Sequence, residues 1–296
     1  MPRMRSLLFV PGDSARKLEK SRSSGADIVI IDLEDSVAPQ SKSAARKMAL
    51  SFLTEVTNSD NAPVYWVRVN PLDSGLTADD LDGIFAKSGA PAGIMLPKAA
   101  GPRDIQTLDA MLLAHEKASG LAAQSVPILP IVTETPAAAM TIHQYISADY
   151  AGRARLAALT WGAEDLSAAI GAARKRDDKG QWTFPYQMVR ASTLMTAHAL
   201  EVQAIDTLHA DFRDEAGLQA AAQAARADGF TGMMAIHPAQ VAIINAAFTP
   251  SDEELAYAKA VIAAFAAQPD AGVVSLDGKM LDLPHLKLAQ KMVRIN

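Results

Sequence analysis

Eight short apolar runs recur along this chain, and helical segments separate most of them; that alternation constrains the fold more than any other feature. The runs are Arg5–Val10, Asp27–Leu33, Pro63–Val69, Ala92–Leu96, Pro127–Val132, Leu156–Trp161, Val202–Ile205 and Gly232–Ile236. Between them lie segments such as Ser41–Val56, Asp104–Lys117, Tyr186–Leu200 and Glu215–Ala227, whose apolar residues recur at helical spacing. Strands that alternate with helices predict a parallel sheet, because a parallel pair needs a long crossover connection. Eight such units are the count of a (β/α)8 TIM barrel, the α/β fold expected here. A doubly wound open sheet is the alternative. The first turn, FVPGDSARK, lacks the glycine spacing of a dinucleotide site, which weighs against it.

The pattern changes after Pro250. Ser251 precedes three acids and an apolar-periodic stretch, the signature of a capped helix over Ser251–Ala267. Asp277–Gly278 suits a tight hairpin turn, and Pro284 can open a last short helix. The sequence therefore predicts a barrel over residues 1–250 and a C-terminal helical and hairpin extension over 251–296. Its 296 residues are 49% hydrophobic, enough for one large core. A net charge of -5 gives no basic surplus to suggest nucleic acid, and the absence of cysteine removes thiolate chemistry. No apolar stretch approaches the roughly 20 residues of a membrane span. A soluble cytoplasmic protein is expected.

Barrel chemistry sits at the C-terminal ends of the strands. Those ends carry Asp13; Asp32, Glu34 and Asp35; Arg68 and Asn70; Lys98; Glu134; Glu164 and Asp165; Asp206 and His209; and His237. Glu134 and Asp165 end two successive apolar runs, where a divalent cation could bridge them. Magnesium is commonly held by one or two carboxylates plus substrate oxygens. The plainer reading is that both acids favour helix N-termini. Arg68, in VYWVRVN, shares a strand face with Val64 and Trp66, and a guanidinium there requires a carboxylate from the protein or a substrate. Glu34 and Asp35 could cap a turn, Lys98 could pair with a neighbouring acid, and His237 reads as a turn histidine. Arg16 and Lys17 could bind phosphate or form an exposed helix face.

RSLLFVPGD, DIVIIDLEDSV with Lys42 and Arg46, WVRVNP, LPKA, IVTETPAA, WGAEDLSAAIG, AIDT and AIHPAQV together resemble the citrate lyase beta-subunit-like enzymes. These are relatives of malyl-CoA and citramalyl-CoA lyases in the HpcH/HpaI aldolase superfamily. The resemblance implies a Mg²⁺-dependent carbon–carbon lyase that cleaves or forms a 3-hydroxyacyl-CoA carrying a carboxylate, with acetyl-CoA and a 2-oxo acid as the fragments. It implies Glu134 and Asp165 as metal ligands, Arg68 beside the thioester oxygens and Glu34–Asp35 as an acidic pair at the site. Arg16 and Lys17 fall where CoA phosphates bind. In SLDGKMLDLPH, Asp282 matches an acid/base aspartate, and the tail would cover a neighbouring subunit's mouth in a homotrimer or a hexamer of trimers. Met233 stands where such enzymes often carry lysine, which leaves CoA or an acyl-carrier thioester open as substrate. Alternatives are an aldolase using Lys98 as a Schiff base or acting on free oxo acids, a non-catalytic or citryl-thioester-cleaving citrate lyase subunit, a thioester hydrolase and a malate-synthase-like enzyme.

Overall fold

The computed structural model describes residues 3–56, 63–147 and 149–295. The chain divides into two compact units, Met1–Asn245 and Ala246–Asn296.

The first unit holds β1 (Ser6–Pro11), α1 (Ala15–Ser21), β2 (Ile28–Asp32), α2 (Lys42–Val56), β3 (Val64–Arg68), α3 (Thr77–Ile84), β4 (Ile94–Leu96), α4 (Pro102–Ser119) and β5 (Ile128–Pro130). It continues with α5 (Pro136–Thr141), α6 (Gln144–Ser147), β6 (Ala158–Thr160), α7 (Ala163–Ile170), α8 (Phe184–Ala199), β7 (Gln203–Asp206), α9 (Glu215–Asp228) and β8 (Gly232–Ala235); α10 (Pro238–Ala247) follows. All eight expected strands form, shorter than the apolar runs by a residue or more at most ends. The strand order is β5-β4-β3-β2-β1-β8-β7-β6, with parallel pairing throughout. The two edges meet through parallel bridges Ile128–Leu156 and Ile131–Thr160. Ala157 N donates to Ile128 O at 3.0 Å and Val132 N to Thr160 O at 2.9 Å. The sheet thus closes into a (β/α)8 barrel.

Closure buries both faces of every strand, which is why the runs are almost continuously apolar rather than alternating. Leu7, Ile28, Ile30, Trp66, Met95, Leu129, Ile205 and Met234 form one buried cluster. Fully burying side chains of this size stabilises the fold by roughly 1.5–3 kcal/mol each. Met233 is buried in β8, so an apolar residue there serves packing.

The second unit contains α11 (Asp252–Ala266), a hairpin of β9 (Val273–Leu276) and β10 (Lys279–Asp282), and α12 (Leu283–Ile295). Ser251 caps α11 in a reciprocal capping box with Glu254. Asp277 and Gly278 have φ of 51° and 75°, the two left-handed residues that a type I′ turn requires. Val261, Phe265, Val274, Leu281 and Ala289 form this unit's own core.

Candidate active site

Sheet register places the first charged pair. Asp32 ends β2 and Arg68 ends β3, and the two are register partners. Arg68 Nε and Nη2 each donate to one Asp32 oxygen at 2.7 Å, a bidentate fork. Asp32 also accepts from the backbone N of Glu34 at 2.9 Å and of Ser36 at 3.1 Å. Burial pushes the Asp32 carboxyl up, but Arg68 and these donors together hold it below its ordinary value. Arg68 is likewise raised: burial opposes its charge, and Asp32, Glu34 and Glu134 outweigh that. Its guanidinium lies 4.8 Å over the Phe9 ring. The carboxylate that Arg68 required from sequence is therefore supplied by the protein.

The loop after β2 carries Glu34 and Asp35. Lys42 Nζ donates to the carbonyls of Leu33 and Glu34 at 2.8 and 2.9 Å, and Asn70 Nδ2 to Leu33 O at 3.0 Å. Asp80 binds Asn70, and Arg46 Nε donates to Asp80 at 2.7 Å. The Lys and Arg that follow the DLEDSV motif thus clamp this loop. Glu34 is buried, faces Arg68 Nη1 at 2.9 Å and pairs with Lys98. Burial pushes its carboxyl up despite both cations. Asp35 is exposed, 3.8 Å from Lys98 Nζ.

Glu134 follows β5 and is buried. It does not cap α5: Thr135 is the N-cap, accepting from Ala138 N at 3.1 Å. Instead Glu134 Oε2 accepts from the backbone N of Lys98 at 2.5 Å. Burial, with Asp165 and Glu34 nearby, pushes the Glu134 carboxyl up to about 8, and the Lys98 N–H pulls the other way. A Cβ on Gly162 would lie 2.7 Å from Glu134 Cγ, so only glycine fits beside that side chain. Asp165 sits in the first turn of α7 without capping it, 3.4 Å from Lys98 Nζ. Lys98 is at φ 52°, a left-handed backbone that a non-glycine residue rarely adopts. Its ammonium is held charged: burial lowers its pKa, and Glu34, Glu134 and Asp165 more than offset this. A Schiff-base lysine must be neutral to attack, so this environment opposes imine chemistry.

Asp32, Asp35, Arg68, Glu134 and Asp165 line one cavity of about 1190 Å³. The cavity extends along α1, where Arg16 and Lys17 line it together with Lys20, which sequence reasoning passed over. All three cations are exposed. Spacing held the signal for Lys20, since residues three apart share a helix face.

Other strand-end charges are held by protein partners. Asp206 accepts from Trp161 Nε1 at 2.6 Å and from Arg190 Nη2 at 2.8 Å. His209 faces Asp214 at 3.2 Å, and Glu164 pairs with Lys175. His237 lines the cavity, but its Nδ1 accepts from Ala239 N at 3.2 Å and its ring stacks on Phe212, as a turn histidine does. Asp282 belongs to the second unit, half-exposed, with His285 Nδ1 at 2.5 Å from its Oδ1.

The donor set fits magnesium. In the cluster of Asp32, Glu34, Asp35, Glu134 and Asp165, carboxylates outnumber the cations Arg68 and Lys98 five to two. Among the described residues no group of three or more His, Cys, Asp or Glu could hold a metal ion by itself. Two protein carboxylates in an open mouth are what an ion completed by water and substrate oxygens uses.

Comparison with known proteins places the chain in a family. Residues 5–238 match the family model described as HpcH/HpaI aldolase/citrate lyase. The chain is 34% identical to the mitochondrial citramalyl-CoA lyase of Rattus norvegicus over 297 residues, covering 98% of this chain and 85% of the relative. It is 33% identical to a (3S)-malyl-CoA thioesterase of Cereibacter sphaeroides over 289 residues, 97% of this chain and 92% of the relative. The crystal structure of protein CitE from Mycobacterium tuberculosis in complex with magnesium, acetoacetate and coenzyme A superposes with a TM-score of 0.77 at 30% identity, covering 98% and 97% of the two chains.

Proposed function

This chain belongs to the HpcH/HpaI aldolase/citrate lyase family, and from that premise we propose that it is a magnesium-dependent carbon–carbon lyase acting on a 3-hydroxy-carboxyacyl-CoA of the citramalyl-CoA or malyl-CoA type. The observation that carries the reading is the convergence of Glu134 and Asp165 on Lys98, beside Arg68, in a cavity that continues along the basic face of α1. Glu134 and Asp165 would hold the metal. When bound, Mg²⁺ supplies a Lewis acid for the hydroxy-acid oxygens and the developing enolate.

The chain's own residues do the rest. Arg16 and Lys17 present positive charge to the phosphates of the CoA arm, and a soluble thioester is thereby drawn lengthwise into the cavity. Arg68, immobilised by Asp32, offers a fixed cation where the thioester oxygen gains charge, and a fixed donor needs no reorganisation as that charge develops. Cleavage breaks the bond between the thioester α-carbon and the carbinol carbon. The hydroxyl proton leaves to a base, the carbinol becomes the 2-oxo acid, and the electron pair moves onto the thioester enolate. A proton delivered to the α-carbon then gives acetyl-CoA. Asp282 is proposed as that proton donor, acting at the mouth of a neighbouring subunit in a homotrimer or hexamer. Met280 and Leu283, which flank it, are 74% and 51% exposed, a supply of apolar surface that a second chain would cover. Exposed Phe184, Met188 and Met195 on α8 offer a further apolar face.

Purified protein incubated with malyl-, citramalyl- and methylmalyl-CoA, with and without Mg²⁺, tests the reading. A lyase releases oxo acid in the presence of metal while the thioester persists as acetyl-CoA or its homologue. Release of free thiol with an intact hydroxy acid would instead identify a thioester hydrolase, the activity for which the Cereibacter relative is named.

A further inference from the structure

Lys98 reaches both proposed metal ligands by two different routes. Its backbone N–H donates to Glu134, and its side-chain ammonium faces Asp165 at 3.4 Å while it is anchored on Glu34. The left-handed backbone, φ 52°, accompanies this double reach: the N–H meets the end of β5 while the side chain crosses to the β2 loop and α7. Four carboxylates from three separate parts of the barrel therefore share one lysine. Nothing else of positive charge among the described ion pairs touches Asp165.

We propose that Lys98 is the resident counter-ion of the magnesium site: it neutralises Asp165 in the metal-free protein and must yield that carboxylate when the metal binds. The inference rests on Glu134 and Asp165 being the ligands. A divalent ion drawn to Asp165 repels an ammonium held at 3.4 Å from the same carboxylate. Lysine suits a counter-ion that must move, because its charge is a compact point on a flexible stem with no fixed fork. Its anchor on Glu34 lets the ammonium withdraw from Asp165 without leaving the cluster. Lys98 thus acts as a positioning residue that sets metal affinity. Its charge offsets the mutual repulsion of the clustered carboxylates, and its competition makes retention of the metal depend on the oxygens that a chelating substrate adds.

Calorimetric titration of MgCl₂ into the metal-free protein, with no thioester present, tests this directly. Lys98→Met keeps the backbone N–H on Glu134 and removes only the ammonium. It should bind Mg²⁺ about tenfold more tightly or better, since one positive charge a few ångströms from a divalent ion is lost. Lys98→Arg, which keeps the charge but offers a fixed fork that yields Asp165 less readily, should bind no more tightly than wild type. Equal or weaker binding by a folded Lys98→Met protein would overturn the proposal. If Glu34 stripped of its partner prevents folding, the double variant Glu34→Gln, Lys98→Met is compared with Glu34→Gln alone. The same tightening is expected there, and no tightening again overturns the proposal. Glu134→Gln separates the two levels: if it binds Mg²⁺ as wild type does, the ligand assignment itself is wrong, whereas loss of binding in Glu134→Gln with no effect in Lys98→Met refutes only the counter-ion role.

Discussion

Arg68→Lys is the substitution that best separates a charge from its geometry. In the wild type the guanidinium makes two parallel 2.7 Å bonds to Asp32, which is 1% exposed. Its Nη1 also lies 2.9 Å from Glu34, and its central carbon lies 4.8 Å from the Phe9 ring centroid. Lysine keeps the charge but offers one ammonium, so the two-pronged fork is lost. One charge-assisted hydrogen bond is worth about 1.5–3 kcal/mol. Unfolding by urea should therefore show a loss on the order of 2 kcal/mol or above in the Lys variant. Activity should fall by about tenfold or more in kcat/KM, which corresponds to roughly 1.4 kcal/mol of transition-state stabilisation. Asp32→Asn provides the control through a double-mutant cycle. If both losses run through the fork, Arg68→Lys should cost much less once Asp32 is already asparagine. A Lys variant with wild-type unfolding midpoint and wild-type kcat/KM refutes the reasoning. So does a full-sized cost that persists in the Asp32→Asn background.

Glu134→Gln and Asp165→Asn should each remove metal-dependent turnover while circular dichroism shows an intact fold, and excess chelator should do the same to the wild type; full activity in these conditions would exclude the assigned ligands. Asp32 supplies a pH dependence. Its folded-state pKa lies below the ordinary 3.8, so its stabilisation is complete above that value and is lost as pH falls through the lower, folded one; Asp32→Asn should lose this component of acid unfolding, measured as the urea midpoint against pH. Inactive Asp282→Asn and inactive Glu134→Gln chains, dissociated and reassembled together, should regain part of their activity. Demonstrably mixed oligomers that stay inactive would show that no mouth combines one chain's metal site with another chain's tail.

The barrel was legible because its strands are buried on both faces and must be written as unbroken apolar runs. The hairpin and the cap of α11 were legible because Asp277–Gly278 and Ser251–Glu254 are local devices. The capping reading of Glu134 could also have been settled from sequence: TETP offers Thr135 as the cap, with Pro136 in the first helical position, where proline is favoured. Asp32 and Arg68 were both visible as charges at strand ends, but their pairing depends on register. Nothing in either segment states register, although in a barrel two consecutive strands are neighbours and both residues are terminal. Lys98 was visible as a strand-end charge, but not which acids it would meet. Its partners lie 36 to 67 positions away along the chain, at Glu134, Asp35, Glu34 and Asp165, and only closure of the barrel brings them together. Such long-range convergence is what a single sequence conceals.

The two cations of the mouth are not equivalent, and the difference is written in how each is held. Arg68 is tied by a planar fork to a carboxylate that itself accepts two backbone donors, so moving it would break several bonds at once. Lys98 is less constrained: its backbone is pinned to Glu134, but its side chain is 28% exposed and its ammonium is shared among Glu34, Asp35 and Asp165 at unequal distances. A lyase of this kind needs one positive charge that stays in place as the thioester oxygen gains charge, and another that can give way as the metal and oxo acid enter and leave. Exchanging the two residue types would supply the same net charge with the mobilities reversed. The placement of arginine on the register partner of Asp32, and of lysine on the strained turn after β4, therefore suits the first to the proposed fixed task and the second to the proposed yielding task.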